Sequence, residues 1–346
     1  MAPIKNGRLI FNSIPTDYPI PGETTVYDIS KEIDLDKVAL NGGVLTKALY
    51  LSIDPYLRGR MREVTSKSYS SAFKLGEPIT GYGLGRAMRS ERPDVKVGDI
   101  VWSSETPFEE YSVLSADYPI QVIQNEANLP LPVYTSVLGM PGKTAFYGLE
   151  FIGQPKAGET IYVSTGAGPV GSTVAQLAKA TGLKVIASTG SDDKLEYLKS
   201  LGVDVAFNYK KDKISDVLAK EGPIDIYWDN VGGESLEAAI EASNDFARIV
   251  VCGAIAAYNG GEPYGIKNAS QILTKRLTVQ GFIQHELETK VGKPHIFYDK
   301  MTPLAASGQL KWHFQVYEGL DKAGEAILDV QKGRNTAKAV VKFADE

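Results

Sequence analysis

The chain has 346 residues, too long for one ordinary core and therefore expected to form two domains, with 37 Lys and Arg against 42 Asp and Glu and a net charge of −5. That balance leaves no basic excess for a nucleic-acid surface, and even the long apolar stretch 249–257, broken by Gly253, falls far short of the roughly 18–20 residues that span a bilayer. Cys252 is the only cysteine, which excludes an internal disulfide and a multi-cysteine metal site, and Met1-Ala2-Pro3-Ile4-Lys5-Asn6-Gly7 lacks the apolar core of a signal peptide; a soluble, cytoplasmic protein is expected.

In chain order, residues 1 to about 128 hold short β-rich runs, such as 43–51 and 99–102, divided by Pro55, Pro78, Gly81, Gly83, Gly85, Pro93 and Gly98. This punctuation predicts an irregular β-barrel-like domain with functional loops, one of them carrying Tyr82 between Gly81 and Gly83. From about Thr160 the pattern alternates. Ile161-Tyr162-Val163 reads as a buried strand, Val170, Val174, Leu177 and Ala178 fall on one helical face, and Val185-Ile186-Ala187 reads as the second strand. Ser191-Asp192-Asp193-Lys194 opens the next helix with a Ser cap and first-turn acids. Strands at 205–207, 224–228, 249–251 and 277–282 follow, with helices near 214–219, 236–243 and 269–274 between them. Alternating strand and helix implies a parallel, doubly wound sheet. Beyond about residue 298 a helix near 324–332 and a strand at 339–343 are expected.

Between the first strand and its helix lies Gly166-Ala167-Gly168-Pro169-Val170-Gly171. In this context the motif predicts a dinucleotide site. Gly166 would allow a tight turn, Gly168 would let the backbone approach a pyrophosphate, and Gly171 would allow close helix–strand packing. Pro169 suits the first helical position, where its missing N–H costs nothing.

Cofactor choice is read at the end of the second strand, where an NAD enzyme places an acid. Thr189 and Gly190 occupy that place, so a 2′-phosphate meets no repulsion, and Lys194 lies one turn further on. The expected cofactor is NADP(H). Asp192 and Asp193 read as helix N-terminal acids in place of ribose ligands.

At this point the chain resembles the zinc-independent medium-chain dehydrogenase/reductases, and within them the NADP-dependent alkenal double-bond reductases and prostaglandin reductases. The resemblance rests on Leu51-Ser52-Ile53-Asp54-Pro55-Tyr56-Leu57-Arg58, Gly139-Met140-Pro141-Gly142-Lys143-Thr144-Ala145, the glycine motif and Gly190-Ser191-Asp192-Asp193-Lys194. It continues through Phe207-Asn208-Tyr209-Lys210, Trp228-Asp229-Asn230-Val231-Gly232-Gly233, Gly253-Ala254-Ile255-Ala256-Ala257-Tyr258-Asn259, Gln280-Gly281-Phe282 and Gly333-Arg334-Asn335. It implies an α/β fold in which a doubly wound Rossmann domain at 129–297 binds NADP(H), and a β-rich GroES-like catalytic domain is built from 1–128 and 298–346.

Position by position, the resemblance makes Lys194 and Tyr209 contacts of the 2′-phosphate and Asn230 a cofactor contact after the fourth strand. Met140 and Thr144 line the nicotinamide side, Phe282 lies beside its amide, and Asn335 is a C-terminal cofactor contact. With Gly166, Ala167, Gly168, Pro169, Val170, Gly171, Thr189, Gly190, Cys252 and Gly253, these complete the expected cofactor site. Tyr258 matches a tyrosine facing the reacting carbonyl, and therefore also the cofactor, and Tyr56 matches a substrate-pocket tyrosine. The loop Asn259-Gly260-Gly261-Glu262-Pro263-Tyr264 and the glycine turn both depart from close relatives. Cys252 reads as a buried structural cysteine, and not as a nucleophile. His285, His295 and His313 lack the spacing of a zinc site, so no metal is expected.

The expected chemistry is NADPH hydride addition to the β-carbon of an α,β-unsaturated aldehyde or ketone, with Tyr258 near the carbonyl oxygen and solvent supplying the α-proton. A tyrosine hydroxyl, protonated at neutral pH, is a suitable donor. Quinone reduction, zinc-free alcohol oxidation and non-catalytic NADPH binding stay open as alternatives. The expected partners are a small enal or enone and, from the resemblance, a second copy in a homodimer, with neither nucleic acid nor membrane.

Overall fold

The computed structural model describes residues 2–293 and 295–343. The chain divides into two compact units, residues 1–135 with 314–346, and residues 136–313. Met1, Pro294 and residues 344–346, which the expected domain ranges include, lie outside the described residues.

The first unit opens with strands β1 (Ile4–Lys5), β2 (Arg8–Phe11), β3 (Thr25–Asp28), β4 (Glu32–Ile33) and β5 (Val44–Ser52). Helix α1 (Tyr56–Arg60) and strands β6 (Thr80–Ser90), β7 (Ile100–Pro107), β8 (Tyr111–Leu114) and β9 (Gln121–Val122) follow. The second unit runs α2 (Met140–Gly148), β10 (Thr160–Val163), α3 (Pro169–Thr181), β11 (Lys184–Thr189), α4 (Asp193–Ser200), β12 (Val205–Asn208), α5 (Ile214–Glu221) and β13 (Ile224–Asp229). It closes with α6 (Gly233–Ala242), β14 (Ser243–Val251), α7 (Ser270–Thr274), β15 (Thr278–Gly281), α8 (Gln284–Val291) and α9 (Ile296–Ala306). The chain then returns to the first unit as β16 (Phe314–Glu318), α10 (Ala323–Gln331) and β17 (Lys338–Lys342).

In the first unit the main sheet has the order β16-β17-β5-β6-β7-β9, with β8 on β5. β17 is parallel to β16 and antiparallel to β5, with Val340 opposite Ser52. Tyr82, expected in a loop, lies inside β6. Its glycine neighbours have a packing cause: a β-carbon on Gly83 would come within 2.7 Å of the Leu51 side chain, so the strand needs glycine to lie flat on its partner. A core of Leu9, Phe11, Leu51, Leu57, Phe108 and Val341 packs beneath.

The second unit holds a six-stranded sheet ordered β12-β11-β10-β13-β14-β15, parallel throughout. The strand order reverses between β10 and β13, and such a reversal leaves a crevice at the carboxyl ends of the strands. Strands buried on both faces read as apolar runs, and Ile161, Tyr162, Val163, Val185, Ile186 and Trp228 are all buried. From α3, Val174 and Ala178 are buried, and Val170 and Leu177 pack against the same core.

The chain passes from one unit to the other at 135/136 and 313/314, later than the expected 128/129 and 297/298. Packing explains the second shift: Phe297 is fully buried, with its ring 5.7 Å from Phe146 and 6.4 Å from Tyr147, which ties α9 to α2. Helices α8 and α9 had no counterpart in the sequence pattern. Every residue of α8 is at least partly exposed, and α9 contains Pro303. No helix among the described residues is long and apolar enough to cross a membrane.

Candidate functional site

The turn between β10 and α3 is built from three unlike glycines. A β-carbon on Gly166 would stand 2.7 Å from that of Ala187, and one on Gly171 would stand 2.4 Å from the Thr165 carbonyl oxygen. Both are close approaches of chain to chain. A β-carbon on Gly168 would meet nothing nearer than 3.4 Å, so this residue presents its backbone outward at the start of α3. The sharp turn expected at Gly166 is instead made by Thr165, which adopts φ 54°, and Gly166 is required for its contact with β11. Pro169 opens α3 and Val170 follows, while Ala167 is buried in the core. Unsatisfied N–H groups and the helix dipole favour an anion at such a helix start.

At the outer end of the sheet the Tyr209 amide donates to the Thr189 carbonyl, 3.0 Å away. Tyr209 is 46% exposed, and its hydroxyl would crowd any side chain at Gly190. Lys194 sits in the first turn of α4, its pKa held down by partial burial and, second, by the charge of Lys210. The expected Ser191 cap is absent: Asp192 precedes α4 in helical conformation, and no side chain caps the helix. The Asp192 carboxylate turns to β12, accepting from Asn208 Nδ2 at 2.8 Å and pairing with Lys211. These bonds hold its pKa low.

Next to the reversal point, Asn230 is fixed through Ser164. Its backbone N–H donates to Ser164 Oγ at 2.9 Å, and its Nδ2 donates to the Ser164 carbonyl at 2.7 Å. Trp228 Nε1 donates to its Oδ1 at 3.1 Å. Asp229 is fully buried, one oxygen accepting from the Tyr227 hydroxyl and the amides of Val231 and Gly232. This bracing was not read from sequence; a serine after β10 and an Asp-Asn pair closing β13 were its only signal.

Tyr258 ends a 3₁₀ turn, Ile255–Ala257, after β14. The Ala254 amide donates to its hydroxyl at 3.5 Å, and that hydroxyl would lie 3.4 Å from a β-carbon on Gly253. Cys252, expected to be buried, is partly exposed as a residue, although desolvation still pushes its thiol up to about 12. Met140 starts α2, and Thr144, one turn on, donates to its carbonyl at 2.9 Å. The Phe282 ring turns inward, edge-on to Trp228 at 6.0 Å. Met140, Thr144, Asn230, Cys252, Gly253, Tyr258 and Phe282 therefore all belong to the second unit.

In the first unit Tyr56 begins α1, and its ring meets Tyr82 edge-on at 5.8 Å. Tyr82 in turn lies 5.5 Å from Trp102. Burial first, then the charge of Asp54, raises the Tyr56 pKa well above 10, so its hydroxyl keeps its proton. Asn335, on the loop before β17, donates to the Ala337 carbonyl at 2.7 Å. Among the described residues no group of three or more His, Cys, Asp or Glu is placed to hold a metal ion.

Two family models match the chain: one described as zinc-binding dehydrogenase over residues 169–294, the other as the N-terminal domain of oxidoreductase over residues 30–122. The chain is 42% identical to the NADP-dependent oxidoreductase RED1 of Cochliobolus heterostrophus, over 99% of this chain and 98% of that protein. It is 36% identical to the NADP(+)-dependent 2-alkenal reductase of Nicotiana tabacum, over 99% of both. Among solved structures, CurA of Vibrio vulnificus in complex with NADPH superposes with a TM-score of 0.85 at 32% identity, covering 98% of this chain and 100% of that one.

Proposed function

We propose that this chain, which belongs to the medium-chain dehydrogenase/reductase family, is an NADPH-dependent reductase of the carbon–carbon double bond in α,β-unsaturated aldehydes and ketones. The observation that carries the substrate class is the end-to-end likeness to a 2-alkenal reductase. The glycine turn suits the cofactor: the outward face of Gly168 leaves room for a pyrophosphate against the start of α3. Lys194 and Tyr209 would hold the 2′-phosphate, and the nicotinamide end would lie by Met140, Thr144, Asn230, Gly253 and Phe282. When bound, NADPH supplies the hydride.

The chain's own task is to orient the enal and stabilise the charge that gathers on its carbonyl oxygen. The Tyr258 hydroxyl donates to that oxygen, and the Ala254 amide polarises the hydroxyl as a donor. Tyr56, protonated, half-buried and edge-on to Tyr82, lines the substrate pocket. Solvent delivers the α-proton. Two copies associate as a homodimer along β15, an edge strand among the described residues whose four residues are all exposed and whose side away from β14 is a template for a second strand.

The test is NADPH consumption against a panel of enals, enones, quinones and saturated ketones, with product identified by mass spectrometry. Saturated aldehydes and ketones are expected from the first two classes. Allylic alcohols, or turnover of quinones alone, would remove the double-bond assignment, and light scattering at the mass of one chain would remove the dimer.

A further inference from the structure

Lys338, in β17, and Asp54, just ahead of α1, form an ion pair at 2.8 Å with side chains only 1% and 2% exposed. Such a pair is a poor device for stability alone, because desolvating both charges cancels most of their attraction. Its geometry shows a different use. The same Lys338 Nζ donates to the Ile53 carbonyl at 2.7 Å, so one ammonium grips both the side chain of Asp54 and the backbone before it. The other Asp54 oxygen accepts from Ser52 Oγ at 2.5 Å. Gln331, near the end of α10, donates through Nε2 to the Pro55 carbonyl at 3.0 Å. The carbonyls on both sides of Asp54-Pro55 are thus tied to the returning tail, and the next residue is Tyr56.

We propose that Lys338 and Asp54 are positioning residues for the reduction: their buried pair, with Gln331, fixes the backbone at 53–55 and so the direction in which Tyr56 is presented to the enal. The inference rests on Tyr56 lining the substrate pocket, as proposed above. The pair acts only through Tyr56 and touches no part of the cofactor-binding turn.

Removing one partner would strand a buried charge, so the informative variant replaces both, Asp54→Asn with Lys338→Met. It is compared with Tyr56→Phe and with the triple variant, using melting temperature, NADPH affinity by fluorescence, and kcat and KM for 2-hexenal. The double variant is expected to bind NADPH as the parent does and to lose about tenfold in kcat/KM, the scale of a small misplacement of a site group. The triple variant is expected to lose no more than the worse of its parents. Parental kcat/KM in a folded double variant, or losses that multiply in the triple, would overturn the proposal. Tyr56→Phe at the parental rate would instead remove the role of Tyr56 itself, and the pair's role with it. If the double variant fails to fold, Gln331→Met, which removes the bond to Pro55 and leaves the buried pair in place, carries the same comparison with Tyr56→Phe.

Discussion

The hydroxyl oxygen of Tyr209 stands 2.9 Å from the point that a β-carbon on Gly190 would occupy. An acid at that place, as an NAD enzyme would have, cannot coexist with this tyrosine position. Lys194 lies on the next helix. Charge-assisted bonds to phosphate are worth about 1.5–3 kcal/mol, so Lys194→Ala should weaken NADPH by roughly tenfold or more and leave NADH nearly unchanged. Titration with both cofactors checks this; equal losses would assign Lys194 to the fold.

The glycines of the turn should separate under substitution. Gly171→Ala drives a methyl against the Thr165 carbonyl, a clash expected to cost about 1–3 kcal/mol and to lower the melting temperature. Gly168→Val should leave melting almost unchanged without cofactor, while weakening NADPH. Thermal scans with and without NADPH read both effects.

Tyr258→Phe removes one hydroxyl and preserves the ring. Loss of a principal oxyanion donor costs about 10²–10³ in turnover, but a site that admits water or shares the role with the cofactor's ribose hydroxyl softens this, so about tenfold is expected. The loss should fall on kcat and spare NADPH affinity. It should be larger for enals than for quinones, which stabilise their own charge. Steady-state kinetics on both classes decide it, and a parental rate with enals would move the donor to Tyr56.

Cys252 should be inert. A thiol pushed up to about 12 is protonated throughout the range in which proteins are handled, since the reactive thiolate appears only as pH rises toward that value. Iodoacetamide at pH 8 should label the folded protein far more slowly than the denatured chain, with no loss of turnover. Rapid loss of activity on alkylation would show that the thiol is accessible and matters to the site.

Prolonged chelation should leave turnover intact, and elemental analysis should find no stoichiometric zinc. One cysteine and three scattered histidines motivate this expectation. A metal whose removal abolishes activity would overturn it.

The parallel sheet was legible because its strands are apolar runs bounded by glycine and by helices of clear period. The glycine turn was legible for the same reason, although the strain fell on Thr165, whose residue type gives no hint of a left-handed conformation. Tyr82 looked like a loop residue because glycines on either side mimic a turn, whereas in β6 they make room for neighbouring side chains. That Ser164 braces Asn230 and that Lys338 grips Asp54 could not be read, even where the residues themselves stood out. Both depend on partners brought together only by the sheet order, and no local pattern records a pairing between residues so far apart in the chain.

The position of β17 between β16 and β5 sets an order on biosynthesis. Strand β5 leaves the ribosome early, yet its neighbour on one side is not made until the whole second unit has emerged. The continuous unit can therefore close on itself while the interrupted one still waits with a bare flank. A chaperone that shields extended, apolar nascent chain would find its longest-lived target at residues 50–52, which face β17, whereas 44–47 can already pair with β8, and a ribosome stalled before residue 338 would hold a finished parallel sheet and an unfinished first unit.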